Sequence, residues 1–329
     1  MQSHTPIYRA LAITGPTASG KTALSLAVAK HFDAEILSCD SMQIYRGMDI
    51  GTAKATVEEQ ALVRHHLIDI ADAGEDFSAS RYKEEALRAA EEISKRGKAL
   101  VFVGGTGLYL DALSAYELPE LPASNETHIK QITDRFSIGG DLDRDALWAH
   151  LYEIDPESAE KIHKNNVRRV LRAIEIFEVS GKPKSELDRL SREQKGPFEI
   201  VQISLDAHDR ELLYHRIDTR VDMMVDEGLI DEVRRLRADG LFDGDSTAAQ
   251  AIGYKEMLDY LNGNATLEQS LENLKRSSRR YAKRQLTWFR AHENAHVVYI
   301  DDEDGNLRPK DEVIAEAITY FENNYLRKG

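Results

Sequence analysis

Gly15-Pro16-Thr17-Ala18-Ser19-Gly20-Lys21-Thr22 has the spacing of a phosphate-binding loop, with four residues between two glycines and a Lys-Thr pair immediately after the second. Each part has a physical reason. The glycines let main-chain N–H groups converge on phosphate oxygens at a helix N-terminus, Lys21 neutralises them, and the Thr22 hydroxyl can ligate Mg²⁺. The flanks fit: residues 8–14 (YRALAIT) read as a buried strand, and a helix follows over Thr22 to Phe32 with Leu24, Ala27 and Val28 available for packing. A glycine-rich turn that binds nothing is the competing reading. It is set aside because all four motif positions and the strand–loop–helix context are present.

Further along, Ala34 to Ser38 (AEILS) predict a second short strand, with Cys39-Asp40-Ser41 at its C-terminal end. Functional groups of open α/β sheets gather at that edge. Ser80 to Lys95 predict an amphipathic helix ended by Gly97, and Ala99 to Val103 (ALVFV) a buried strand running into Gly104-Gly105-Thr106-Gly107. Strands alternating with helices imply a doubly wound parallel sheet flanked by helices, the α/β core of a P-loop NTPase-like fold. Near Glu117 the segment LPELPAS leads into a polar, helix-rich stretch, and sheet character returns only after Gly196-Pro197, with Glu199 to Leu205. The expected organisation is a core over 1–116, an inserted, mostly helical domain over 117–197, and the rest of the core over 198–329. Beyond Ala291 the chain is acidic and uninformative until a helix from about Lys310 to Leu326. No repeat or low-complexity segment is evident.

The 329 residues, 42% hydrophobic and 30% charged, suit a large folded core plus a smaller module. Neither a leader pattern nor a run of roughly 20 apolar residues is present, so a cytoplasmic location is expected and no membrane partner. Cys39 is the only cysteine, which excludes an internal disulfide and a zinc site built on thiolates. Forty-three basic against 57 acidic residues give a net charge of −14, a balance that by itself argues against nucleic acid. Two basic patches run against that total. Lys161, Lys164, Arg168 and Arg172 recur at helical spacing, with Val167, Val170, Leu171 and Ile174 on the opposite face. Lys275 to Arg290 (KRSSRRYAKRQLTWFR) carry seven basic residues and no acid, with Tyr281, Trp288 and Phe289 interleaved. Cations tracking a backbone with aromatics available for stacking suit RNA better than a salt-bridged face.

A nucleotide-hydrolysing relative should place an Asp after a later apolar strand, yet ALVFV ends in GGTG, and no Asn-Lys-x-Asp motif appears. Thr106 is placed to donate to phosphate or to cap a helix. Asp40 could serve as a general base, as a Mg²⁺ ligand through water, or as a turn residue. The neighbouring stretches Asp49 to Lys54 and Arg64 to Leu67 favour a functional site. Adjacent residues point apart, so His65 and His66 read as structural or substrate-shaping and not as metal ligands. On an expected helix from Arg210 to Asp239, Arg216 and Arg220 lie one turn apart, and either could reach a leaving group's phosphates or pair with acids of the same helix.

Taken together, GPTASGKT, DSMQIYRGMDIGTAK, RHHLID, VGGTGLY, NNVRRVLRAIEI, AAQAIGYKE and YAKRQLTWFR resemble the bacterial tRNA dimethylallyltransferase family from about Ala12 to Arg290. The resemblance implies transfer of a dimethylallyl group from dimethylallyl diphosphate to N6 of adenosine 37 in tRNAs reading codons that begin with U. It also implies Mg²⁺ and a helical insertion gripping the anticodon stem-loop; eukaryotic relatives carry a zinc finger, which a chain with one cysteine cannot form, and a monomer is expected. By the same resemblance, Thr17 to Thr22 cradle the diphosphate, Lys21, Thr22 and Arg220 stabilise departing pyrophosphate, and Asp40 accepts the N6 proton. Segments matching those that contact tRNA comprise Asp40, Ser41, Met42 and Gln43; Thr106; and Asn165, Asn166, Val167, Arg168 and Arg169. Further along they comprise Gln250, Ala251, Ile252, Gly253, Tyr254 and Lys255, then Arg280, Tyr281, Lys283, Arg284, Gln285 and Thr287. An adenylate isopentenyltransferase acting on free AMP, a small-metabolite P-loop kinase and a non-catalytic RNA-binding module are the alternatives.

Overall fold

The computed structural model describes residues 8–75, 77–114, 121–122, 124–192, 196–242, 246–291 and 295–326. In chain order, β1 (Tyr8–Thr14) leads through the glycine-rich loop into α1 (Lys21–His31) and β2 (Ala34–Ser38), followed by α2 (Val57–Leu62) and the two-residue β3 (His65–His66). Next come α3 (Ala79–Lys95), β4 (Ala99–Gly104) and α4 (Gly107–Ser114). The inserted segment supplies α5 (Glu126–Arg135), a hairpin of β5 (Ser137–Ile138) and β6 (Asp141–Leu142), α6 (Arg144–Ile154), α7 (Pro156–Lys161), α8 (Val167–Ser180) and α9 (Lys184–Arg192). Then follow β7 (Phe198–Asp206), α10 (Arg210–Asp226), α11 (Leu229–Ala238), α12 (Tyr254–Leu261), α13 (Leu267–Arg290), β8 (His296–Tyr299) and α14 (Lys310–Phe321).

The chain divides into two compact units: Met1–Ser114 with Pro197–Gly329, and Ala115–Gly196. The boundary expected between 116 and 117 lies outside the described residues. In the first unit all six strands run parallel in the order β3-β2-β4-β1-β7-β8. This is the expected parallel α/β sheet with helices on its faces. Alternation along β1 shows how both faces are buried: Leu11 and Ile13 pack with Val28, Ile217 and Phe321, while Ala10 and Ala12 face Tyr82, Phe102 and Tyr109. Period-two side-chain alternation assigns each set to its own layer.

Two expectations for this unit change. The helix expected over Arg210 to Asp239 is two helices, because Gly228 adopts φ 101°, a left-handed conformation that ends α10 and caps α11. The stretch after Ala291 contains β8, which pairs with β7 from Ile203↔His296 to Asp206↔Tyr299 and extends the sheet by one edge strand. Four residues half-covered at an edge carry too little hydrophobic signal to stand out.

The second unit is helical apart from β5–β6, turned by Gly139 and Gly140 at positive φ. Its own core gathers Ile132, Leu147, Leu151, Val170, Leu171 and Ile174. Asn125, Asp143 and Asp155 cap three of its helices, and the Asp155 carboxylate also binds the main-chain N–H and hydroxyl of Ser185, tying α7 to α9.

Candidate active site

A cavity of about 400 Å³ opens at the C-terminal edge of the parallel sheet, and every residue lining it belongs to the first unit. The β1 end supplies Thr17, Ala18, Gly20, Lys21 and Thr22, the β2 end Ser38, Asp40, Ser41, Met42 and Gln43, and the β4 end Val103 and Gly104. Helix α10 adds Ile217, Arg220, Val221 and Met224, and α13 adds Leu274, Ser278, Tyr281, Arg284 and Gln285. One wall is therefore cationic and lined by loop amides, while Ile36, Val103, Ile217, Val221, Met224 and Leu274 give it an apolar side.

The phosphate loop is shaped by close contacts. Gly15 has φ 141°, and a Cβ there would lie 2.8 Å from the Leu205 carbonyl oxygen, so glycine alone lets β1 turn this close to β7. Ala18 sits at φ 62°, and its carbonyl accepts a 2.9 Å bond from Arg216 Nε. Lys21 Nζ donates to the carbonyl oxygens of Pro16 (2.6 Å) and Gly15 (3.1 Å). Pro16 O also accepts from Ser19 Oγ at 2.9 Å. Gln285 joins this loop to the second glycine turn: its Oε1 accepts from Thr17 N at 3.0 Å, and its Nε2 donates to Gly105 O at 3.0 Å. Thr106 of that turn accepts from Ser41 N at 3.1 Å, the residue beside Asp40. Thr106 thus braces the β2 end, and it is not among the cavity-lining residues.

Among the charged groups lining the cavity, Lys21, Asp40 and Arg220 titrate in one another's field. Burial and the nearby Arg220 guanidinium pull the Lys21 ammonium down to about 7, opposed by the Asp40 carboxylate. Burial raises the Asp40 carboxyl above the ordinary carboxylate range, opposed by the Met42 N–H bond (2.9 Å) and by the charge of Lys21. Burial likewise lowers the Arg220 pKa. Neither Arg216 nor Arg220 pairs with an acid of its own helix among the described residues, so the ion-pair alternative for them falls away.

The loop from Asp49 to Lys54, which lines the cavity through Gly51, Thr52 and Ala53, hangs on a buried carboxylate that sequence reading missed. Glu232 of α11 accepts from the N–H groups of Asp49 (3.0 Å), Ile50 (2.8 Å) and Gly51 (3.1 Å) and from the Tyr254 hydroxyl (2.7 Å). Its only signal was a glutamate on the apolar side of a helix. Lys54 Nζ is buried between Tyr45 O, Asp49 Oδ1 and Asp69 Oδ1 at 2.8, 2.7 and 2.6 Å. His66 and Arg96 both bind Glu35, whose pKa the hydrogen bond from Arg96, above all, lowers to about 2. His66 is thus structural, and His65 lines the cavity with Nδ1 2.8 Å from Val63 O.

Most residues expected to meet RNA fall into three groups, with Thr106, Gly253, Tyr254 and Lys255 apart from them. Asp40, Ser41, Met42, Gln43, Gln250, Ala251, Ile252, Tyr281, Arg284 and Gln285 line the cavity, whereas Arg280, Lys283 and Thr287 are exposed on α13. Asn165, Asn166, Val167, Arg168 and Arg169 lie in the second unit at the start of α8. Tyr254 is fully buried with its hydroxyl on Glu232, and Gln285 is buried with its carboxamide in the clamp just described. Gly253 is also buried, at φ 97°, and Lys255 lies 3.6 Å from Glu256.

The basic patches are smaller than their counts. Lys161 pairs with Glu157 (2.7 Å), Lys164 with Asp145 (2.5 Å) and Arg172 with the buried Glu175, which leaves Arg168 and Arg169 as exposed cations without an ion pair among the described residues. On α13, Lys275 pairs with Asp222, Arg279 with Asp218 and Arg290 with Asp206. Phe289 is core, and Trp288 packs so closely that a Cβ at Gly107 would lie 2.3 Å from its ring. Those two aromatics are not stacking platforms, while Tyr281 faces the cavity.

Among the described residues no three His, Cys, Asp or Glu side chains converge as a metal cage. The donor set instead fits Mg²⁺ carried by a substrate diphosphate, because that ion keeps waters and phosphate oxygens and asks the protein for few ligands. Thr22, which lines the cavity, could offer its hydroxyl to such an ion.

Fold and cavity define an α/β enzyme core of the P-loop kind, in which the glycine-rich loop, Lys21, Arg220 and Asp40 line one cavity at the sheet's C-terminal edge. The chain belongs to the IPP transferase family, matching it over residues 43–292. It is 47% identical over 303 residues to the tRNA dimethylallyltransferase of Halalkalibacterium halodurans, covering 91% of this chain and 93% of that one. A crystal structure of the full-length tRNA isopentenylpyrophosphate transferase from Bacillus halodurans is 43% identical and aligns with TM-score 0.70, covering 98% of this chain and 97% of that one. A eukaryotic dimethylallyltransferase acting on tRNA, 27% identical, aligns with TM-score 0.80 over 98% of this chain and 80% of its own.

Proposed function

We propose that this chain transfers the dimethylallyl group of dimethylallyl diphosphate to N6 of adenosine 37 in tRNAs reading codons that begin with U. The observation that carries the reading is one cavity in which the phosphate loop, Lys21 and Arg220 stand with the carboxylate of Asp40. The curated relatives' activity on tRNA agrees with it.

In the reaction, the bond from N6 to C1 of the allyl group forms as the C1–O bond to diphosphate breaks. Pyrophosphate leaves as a unit, and the proton of N6 passes to Asp40. Loop amides from Thr17 to Thr22, with Lys21 and Arg220, stabilise charge where it develops on the leaving oxygens. Thr22 would help hold Mg²⁺, which would supply further charge neutralisation there. A carboxylate whose pKa burial raises is a stronger base toward a weakly acidic amino group. The apolar side formed by Val103, Ile217, Val221, Met224 and Leu274 suits the five-carbon chain. Adenosine leaves its stack to enter, as nucleobase-modifying enzymes require.

Exposed Arg280, Lys283 and Arg284 on α13, with Arg168 and Arg169 in the second unit, supply the phosphate contacts. The protein acts as a monomer in the cytoplasm, where its tRNA substrate is, and uses no zinc. The test is an Asp40→Ala variant. Transfer should fall about 10²–10⁴-fold with tRNA affinity retained; parallel loss of binding, or full activity, overturns the role given to Asp40.

A further inference from the structure

We propose that Gln285 is a positioning residue that locks the diphosphate-binding loop to the turn bracing Asp40, so that leaving-group grip and proton acceptor share one rigid frame. The inference rests on the transfer reaction proposed above. Its geometry is specific. The buried carboxamide accepts from Thr17 N and donates to Gly105 O, both at 3.0 Å. A main-chain N–H only donates and a carbonyl only accepts, so these partners fix which end of the amide faces which. A carboxamide satisfies both without adding charge beside the phosphates.

The surroundings are built for this reach. A Cβ on Gly105 would lie 2.0 Å from Gln285 Nε2, so glycine there lets the amide touch main chain. The next residue, Thr106, accepts from Ser41 N at 3.1 Å, which carries the linkage from Thr17 through Gln285 and the Gly105-Thr106 turn to the residue following Asp40. Gln285 sits on α13, between exposed Lys283 and Arg284 on one side and Thr287 on the other. The helix that would meet RNA is thereby bonded directly to the loop that would hold the donor, and misplacing reacting groups by about 1 Å can cost on the order of 10²-fold in rate.

The experiment compares wild type with Gln285→Leu and Gln285→Glu, measuring kcat, the KM for each substrate, and Tm. Wild type must label tRNA from labelled dimethylallyl diphosphate; if it does not, the function proposed above fails, independently of Gln285. Given transfer, kcat of Gln285→Leu should fall between about 10- and 100-fold while the KM for tRNA stays within about twofold. A glutamate at 285 accepts from Thr17 N but donates to Gly105 O only when protonated, so the Gln285→Glu to wild-type ratio of kcat should rise as pH falls. That ratio keeps the test decisive even if the leucine variant does not fold. A raised tRNA KM at unchanged kcat would make Gln285 an RNA contact, and unchanged kcat with a pH-independent ratio would make it idle; either result overturns the proposal.

Discussion

Lys21 and Asp40 titrate in each other's field, and each makes a pH prediction of definite sign. With its ammonium held near 7, Lys21 is partly neutral in the unliganded cavity above that pH, and a bound diphosphate favours the charged form. Binding at pH 8 should therefore take up a proton, and affinity should fall as pH rises past about 7. Calorimetry in buffers of different ionisation heat measures this; equal uptake by wild type and Lys21→Met would sink it. Asp40 must be ionised to accept a proton, and burial raises its pKa. The acid limb of the kcat profile should thus lie above the ordinary carboxylate range and vanish in Asp40→Asn. The phosphate loop was legible because its chemistry is written in eight consecutive residues. Gln285 was not, since in a run of arginines and lysines nothing local distinguishes an amide facing RNA from one facing the main chain of residues 180 and 268 positions away.

At the scale of elements, α11 matters more than its ordinary sequence suggests. Glu232 there holds three consecutive N–H groups of the loop containing Gly51 and also the Tyr254 hydroxyl. Glu232→Ala should destabilise the protein by about 2–3 kcal/mol, because three part-buried main-chain donors and the buried Tyr254 hydroxyl lose their acceptor together. It should also raise the KM for the diphosphate substrate, since that loop lines the cavity. Denaturant unfolding and steady-state kinetics check both, and a change below about 1 kcal/mol would contradict the first. The parallel sheet was readable from apolar runs, whereas its order β3-β2-β4-β1-β7-β8 was not, because it depends on pairings between strands far apart in sequence. Ion pairs between helices were not readable: Arg279 finds Asp218, 61 positions earlier, so a local count of cations overstates the free charge of α13.

The whole molecule carries a net charge of −14 yet is read as an RNA enzyme, which requires its free cations to be local. The two compact units each have a core, so replacing 115–196 by a short flexible linker should leave the first unit folded and binding diphosphate while tRNA transfer is lost. Circular dichroism, calorimetry and the transfer assay together read this, and retained tRNA transfer would contradict the role given to the second unit. No helix among the described residues is long and apolar enough to cross a membrane. The insertion was visible as a change of composition near Glu117 and a return of strand character at Glu199.

The claim joining these scales is that the loop from Gly15 to Thr22 holds an allyl donor's diphosphate, which leaves intact while N6 of tRNA takes the allyl group. The most direct measurement follows both products from doubly labelled dimethylallyl diphosphate, with Mg²⁺, in the presence of unmodified tRNA, free AMP or ATP. The account predicts one pyrophosphate per dimethylallyl group found on tRNA, no orthophosphate, no labelled AMP and no ATP consumed. Release of orthophosphate, labelling of AMP as readily as tRNA, or consumption of ATP would contradict it.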